Sequence, residues 1–355
     1  MLSPTHHPGV RFRNCSALST GAWTSVTTGG SFMTESGFRR CQFALGFAAV
    51  ALVVSACGGT AAGSNPTTAG ASGDPATDKL AQVLARGTLV LSTDPAYAPN
   101  SYQVKGATRA NTTKCQPTQL TGNQVSGYDA ETGKAVAKVL GVEPCFVLPT
   151  WAQVVSGNWG DRWDVSWQSG AINSDRMTRL WMTQPYASEP SQFFVKADSP
   201  YTKPSDLDGK SVGACTGCTH ELYLRGTLVL PGIPFTNLVK DPKVVTYDVE
   251  RGGLKAVSEN KLDAFLCATA VGEANIKSGL KLRALNPLAF TSMLSGFVDK
   301  KSGYAAGPFV TRINQILAGL HADGTLSALS VKFYGVDYAK EAGQFDLSTI
   351  GQNVT

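Results

Sequence analysis

Residues 80–99 read LAQVLARGTLVLSTDPAYAP. Leu80, Val83 and Leu84 recur at helical spacing and predict a short helix. It leads into a strand, Thr88-Leu89-Val90-Leu91-Ser92, and the chain then turns at Asp94 and Pro95. The alternation continues outward from this unit. Asp129–Leu140 reads as a helix stopped by Gly141, because glycine tolerates the conformation that ends helices. Cys145–Leu148 reads as a strand, Trp151–Trp159 as a helix, and Asp164–Trp167, Ser191–Val195 and Ser211–Ala214 as strands. Asp248–Asn260 is helical with Leu254 and Val257 inward. Ala264–Cys267 and Leu294–Val298 are strands. Phe309, Val310, Ile313, Ile316, Leu317 and Leu320 then trace one apolar helical face. Strand alternating with helix predicts an α/β fold with mainly parallel sheets. About 275 residues follow Asp78, which is large for a single core, so two lobes are expected. No internal repeat is evident.

The segment upstream has a different composition. Phe43–Ala56, FALGFAAVALVVSA, holds no charge. At 14 residues it falls short of the ~20 that span a bilayer. Arg39 and Arg40 precede it and Val54-Ser55-Ala56-Cys57 follows, which is the order of a secretory signal: basic, apolar, then small residues. Residues 1–32 fit no part of such a signal, whereas Met33 begins a well-proportioned one and is the expected translation start. Gly58–Thr77, GGTAAGSNPTTAGASGDPAT, cannot bury apolar surface and is expected to be a flexible tether, about 25 Å in root-mean-square span.

The whole chain carries 31 basic and 26 acidic residues among 355. The signal region holds four of the bases and one acid (Glu35), so 27 and 25 remain, a net of +2. That balance, without basic runs, gives no reason to expect nucleic acid as a partner.

Several segments resemble the family 3 extracellular solute-binding proteins, the polar amino-acid binders of bacterial ABC importers. They are Arg86–Pro99; Gly127-Tyr128-Asp129 with Leu140-Gly141-Val142; Trp163-Asp164-Val165 through Ile172-Asn173-Ser174-Asp175-Arg176 to Pro185-Tyr186; Leu207–Ala214; and Leu320–Leu326 to Phe333-Tyr334-Gly335. They occur in the family's order and cover nearly all of 80–335. Val54–Cys57 also resembles a bacterial lipobox.

The resemblance implies a two-lobed, type II periplasmic-binding-protein-like α/β fold, with parallel-rich sheets joined by two hinge strands near Ser191–Val195 and Leu294–Val298. Lobe one would comprise 79–190 plus 292–355, and lobe two 191–291. Residues 1–56 would be the signal region and 57–78 the lipidated cysteine and linker. Cys57 would be diacylated and become the first residue of the mature protein. The partners implied are a small amino acid or related carboxylate held between the lobes, an ABC permease, and the membrane through the lipid. The state expected is an exported monomer at the outer face.

A zwitterion buried between lobes needs partners for both charges. Arg176 matches a carboxylate with its guanidinium fork, and the family uses an Arg at this position for that purpose. Thr219, after Gly217 and Cys218 at a strand-to-helix turn, would complete the carboxylate site. Trp151 and Tyr97 stand where the family places aromatics against the ligand. Gln168, Ser169 and Gly170 would supply backbone and hydroxyl contacts. Asp94 either faces the cleft or caps the turn at Pro95. The position that often carries an acid for the α-ammonium falls on Ala268, and Ala171 replaces a frequent Ser. Glu273 or Asp94 is left to stand in, and a ligand without an α-amino group remains open.

Five cysteines follow Cys57 in an oxidising compartment. Cys115, in the long loop Lys105–Asn123, is expected to pair with Cys145. Cys215-Thr-Gly-Cys218 has redox-motif spacing, but a structural bridge from Cys215 or Cys218 to Cys267 is preferred. No cofactor pattern is present. Zinc is not expected, since His6, His7, His220 and His321 do not cluster. The competing class is an enzyme on the same fold, similar to cyclohexadienyl dehydratase, with His220, Asp94 or Glu273 as its acid or base.

Overall fold

The computed structural model describes residues 73–352. The signal region, Cys57 and most of the tether lie outside the described residues.

Asp78 starts the first helix, Lys79–Arg86, by accepting a hydrogen bond from the Ala81 amide, and Gly87 closes it in the left-handed region. The helix buries Lys79, Ala81 and Val83. Leu80 and Leu84 are only partly covered, because the buried face is shared with a polar anchor. The Lys79 ammonium lies 2.6 Å from Asp161 and 3.5 Å from Asp164. Asp164 also pairs with Arg86 and accepts from the Val90 amide. This network pins the helix to the strand Thr88–Ser92, whose five residues are all buried.

Thr88–Ser92 lies inside a six-stranded sheet, parallel to Glu143–Val147 on one side and to Val165–Ser166 on the other. Phe297–Asp299 and Leu180–Met182 extend the sheet antiparallel, and Leu120–Thr121 forms the opposite edge. A strand covered on both faces suits a parallel core. The helices Tyr128–Leu140 and Gly307–Ala322 cover one face, and all six apolar positions traced from Phe309 to Leu320 are buried. Trp159, Trp163 and Trp167 are interior residues of this body.

The second sheet runs Lys243–Tyr247, Ser211–Cys215, Ala264–Ala268, Ala187–Lys196, Leu282–Ala284. Its ten-residue strand Ala187–Lys196 is the link between the sheets. The first half pairs antiparallel with Phe290–Leu294, from Leu294↔Ala187 to Phe290↔Ser191, and the second half pairs with Ala264–Ala268 and Leu282–Ala284. Leu180–Met182 precedes this pair of crossings and Phe297–Asp299 follows it, both in the first sheet.

Three sequence expectations change in detail. Leu294–Val298 is not one strand, because the chain leaves the crossing at Leu294 and enters the first sheet at Phe297. Gly296 allows the switch: a Cβ there would stand 2.7 Å from the Trp167 ring. The Trp151 helix ends at Ser156, where Gly157 takes φ 64°. Asp248–Asn260 shortens to Glu250–Ser258.

Cys115 and Cys145 form a disulfide, with Cα atoms 5.4 Å apart. It ties the 105–119 loop to the strand Glu143–Val147. Arg109 and Asn123 reinforce the loop by donating to the carbonyls of Gln119 and Thr108. The bridge spans a sequence separation of 30, so chain-entropy reasoning predicts that replacing both cysteines by Ser costs roughly 3–4 kcal/mol. Urea unfolding should show a lower midpoint. An unchanged midpoint would mean that the loop is held without the bridge.

Candidate functional site: an acidic cleft around a buried arginine

Between the two sheets lies a cavity of about 350 Å³. The first body supplies Asp94, Tyr97, Trp151, Gln168, Ser169 and Arg176 to its lining, and the crossing strand supplies Glu189. The second body adds Cys215, Cys218, Thr219, His220 and Glu250.

Arg176 sits on the one-turn helix Ser174–Met177, which Asn173 caps through a 2.9 Å hydrogen bond to the Arg176 amide. The side chain is buried, at 2% exposure. Its Nη1 donates to the Ala171 carbonyl at 2.8 Å, whereas Nη2 has no partner. Aromatic rings flank the guanidinium, Trp151 at 4.8 Å and Phe297 at 5.8 Å. Burial lowers its pKa to about 10, so the group stays cationic at neutral pH. A buried cation with an unused N–H at the lining of a cavity has the chemistry to accept an anion.

The opposing charges are carboxyls. Glu250 opens the helix Glu250–Ser258, and its Oε2 is buried without a partner. Burial, then the Asp94 charge, push its pKa up to about 8. Glu189 is raised well above the carboxylate range, first by burial and then by Glu250, and its contact in the cleft is a 3.4 Å bond from Asn100. Asp94 does both things the sequence left open: it lines the cavity and accepts from the Ala96 amide at 2.7 Å. His220 is bonded to the Ser191 hydroxyl at 3.0 Å. Burial, helped by the Arg176 charge, holds its pKa near 3, so the imidazole is neutral.

Most residues read from the sequence meet here, with specific exceptions. Trp151 spans toward the second body, donating from Nε1 to the Gly217 carbonyl at 3.2 Å. Thr219, 5% exposed, is the first residue of the helix Thr219–Leu224. The Gln168 Oε1 is buried and unpartnered. Ser169 is held at φ 52° and hydrogen-bonds Asp129 at 2.7 Å. Gly170 does not line the cavity: its carbonyl accepts from the Ser295 amide, and a Cβ would fall 2.2 Å from the Phe297 ring, so it is a packing glycine. Ala268 is also absent from the lining, since it is buried opposite Ser191 in the sheet. Glu273 is exposed and outside the cavity. Its intended role has no support, and Glu250 and Glu189 are the acids actually present. The sequence signal for Glu189 was a lone acid inside the otherwise neutral strand ASEPSQFFV. Glu250 followed Asp248 at a helix start and carried no distinguishing pattern.

The expected bridge to Cys267 is replaced by Cys215–Cys218, whose Cα atoms the four-residue turn brings to 5.5 Å. That separation suits a disulfide. Cys267 remains a buried thiol packed with Phe194, Leu254 and Phe265.

Residues 89–336 match the bacterial extracellular solute-binding proteins, family 3. The chain is 26% identical over 263 residues to the L-cystine-binding protein TcyJ of Escherichia coli (strain K12), covering 74% of this chain and 88% of that protein. Among solved structures it resembles the ancestral amino acid-binding protein AncCDT-1, described as a precursor of cyclohexadienyl dehydratase. The TM-score is 0.58 at 21% identity, over 72% of this chain and 100% of that one. It also resembles Tv2483 bound to L-arginine, with a TM-score of 0.60 at 16% identity, over 77% and 99% of the two chains. At these identities the structural likeness establishes the two-lobed fold alone, whereas the family match covers most of the chain. The chain therefore belongs to the bacterial extracellular solute-binding proteins, family 3.

Proposed function

We propose that this protein is a lipid-anchored, extracytoplasmic solute-binding protein that captures an amino acid between its lobes and presents it to an ABC permease. The observation that carries the reading is the Arg176 guanidinium, buried in the cleft with Nη2 unpartnered. The ligand carboxylate pairs with Arg176 and the Thr219 end of the second body. Its ammonium meets Glu250, Glu189 and Asp94. Lobe one (79–190 with 292–355) and lobe two (191–291) close about the crossing strands and exclude water. The cleft has more acids than one α-ammonium uses, which favours an amino acid carrying a second cationic group. L-cystine and L-arginine, named for the relatives above, both have one.

The dehydratase reading rests on the AncCDT-1 likeness and on Glu250, which holds a proton near neutrality. Against it, His220 is uncharged above about pH 3 and offers no proton to a leaving group. Binding is the reading adopted, with the mature protein acting as a monomer tethered through Cys57.

Arg176→Ala should weaken binding of the best amino acid by about 100-fold in calorimetry, since losing a buried charged partner costs roughly 3 kcal/mol. The wild-type protein should return a non-thiol ligand chemically unchanged. Equal affinity in the variant, or recovery of a converted product, would refute the site or the binding role.

The pH dependence follows from Glu250. Its empty-site pKa of about 8 keeps it protonated at pH 7. A bound ammonium favours the charged form, so binding at pH 7 releases about one proton. Affinity should rise from pH 6 to 8 and level off above. Titrations at pH 7 in buffers of different ionisation enthalpy should show that release, and a buffer-independent enthalpy would exclude it.

Cys57→Ser should move the protein from the membrane fraction to the soluble exported fraction. Retention at the membrane would show another anchor.

A further inference from the structure

The two disulfides stand in different surroundings. Cys115 and Cys145 are 6% and 0% exposed and lie outside the cavity, where their bridge staples a loop. Cys215 and Cys218 both line the cavity, at the turn that leads into Thr219. His220 Nδ1 stands 3.8 Å from the Cys215 sulfur and 3.7 Å from that of Cys218. Oε1 of Glu250 lies 3.2 Å from the Cys215 sulfur. The turn touches the arginine site too, because Trp151, whose ring covers Arg176, donates to the Gly217 carbonyl inside it. A ligand with its carboxylate on Arg176 therefore shares one small cavity with a disulfide that lines it, Cys218 itself being 6% exposed, a cation and a carboxyl group adjoining one sulfur. The solute-binding function uses none of the sulfur chemistry, and a staple would be as effective away from the cavity.

We propose that Cys215–Cys218 is a thiol–disulfide exchange site for small zwitterionic thiols of the aminothiol-acid class, oriented by Arg176. The inference rests on the solute-binding reading, since the same carboxylate contact positions the thiol. An incoming thiol loses its proton to solvent, and the thiolate RS⁻ attacks the Cys218 sulfur. The new bond is R–S–S–Cys218. The Cys215–Cys218 bond breaks, and its electron pair goes to the Cys215 sulfur, which takes a proton from water. A second thiolate attacks the ligand sulfur of the mixed disulfide, releasing R–S–S–R and the Cys218 thiolate, which water protonates. Two thiols are oxidised to one disulfide while the protein bridge accepts the two electrons and becomes a dithiol. The reverse sequence lets a small disulfide reoxidise the dithiol. Exchange is faster when the leaving sulfur is stabilised, which assigns departure to Cys215, the sulfur beside the ligand ammonium that Glu250 holds. The nearby guanidinium favours the attacking thiolate.

The mature oxidised protein is mixed with excess cysteine, cysteamine (no carboxylate) or 3-mercaptopropionate (no ammonium). The reaction is quenched with acid, and newly exposed thiols are alkylated and located by peptide mass spectrometry. Each rate is normalised to that thiol's rate with oxidised glutathione. The expected result is opening of Cys215–Cys218 by cysteine about tenfold faster than by cysteamine, the scale of one charged hydrogen-bonded contact. One cystine should form per bridge opened, and Cys115–Cys145 should stay closed. Arg176→Ala should erase the advantage of cysteine over cysteamine. Glu250→Gln should slow opening at pH 7 without changing which bridge opens. The proposal is overturned if Cys215–Cys218 opens no faster than Cys115–Cys145, or if wild-type protein shows no preference for cysteine. Calorimetry with non-thiol amino acids on the same protein separates the two readings. Binding with a closed bridge ends the exchange proposal alone, and absence of binding with unselective opening ends both.

Discussion

A guanidinium removed from water without a carboxylate beside it is the constraint around which the cleft is organised. Transferring a charge out of water is costly unless it is paired or hydrogen-bonded. At Arg176 the protein meets that cost only in part. One nitrogen is bonded to the Ala171 carbonyl, two aromatic faces flank the plane, and the Asn173 cap fixes the helix turn from which the side chain leaves. The unpartnered Nη2 is left for whatever fills the cavity. Rigid placement of this group limits the reorganisation needed on binding, which is how affinity is gained without additional contact area.

The acids opposite are the complement of that cation, but they are set apart from it. Glu189 lies on the crossing strand and Glu250 on the second body, whereas Arg176 belongs to the first. With the site empty, burial pushes both carboxyls up and leaves Glu250 protonated near neutrality, so little charge repulsion accumulates between them. A cationic ligand bound as proposed would convert Glu250 to its carboxylate and thereby couple the bodies through its own charge. The two crossing strands allow this coupling to be mechanical, since Ala187–Lys196 pairs with Phe290–Leu294 over its first half and with the second sheet over the rest. Movement of one sheet relative to the other bends this pair and leaves the ladders within each sheet intact.

Placement also separates the two disulfides by function. Equal chemistry gives a staple where the bridge stands apart from the cavity and, in the exchange proposed above, a reactive group where it lines a cavity beside a cation and a carboxyl group. Nothing in the spacing of Cys115 and Cys145, thirty residues apart, distinguishes a structural bridge. Its environment does.

Local information determined the elements and their order. The Lys79–Arg86 helix, the buried strand after it, the Tyr128–Leu140 helix closed by Gly141 and the apolar face from Phe309 to Leu320 follow from spacing, caps and periodicity, which are short-range properties. The anion site at Arg176 was reached through the resemblance of the Ile172–Arg176 segment to the family, since spacing alone fits a surface arginine equally well. Tertiary structure decided what depends on distance through space. It withdrew Gly170 and Ala268 from the cavity lining, since one packs against Phe297 and the other lies inside the sheet. It brought in Glu189 and Glu250, more than sixty residues apart in sequence, and it chose Cys218 over Cys267 for Cys215. Charge pairing and burial are set by which surfaces the fold brings together, and a linear pattern carries no measure of that separation.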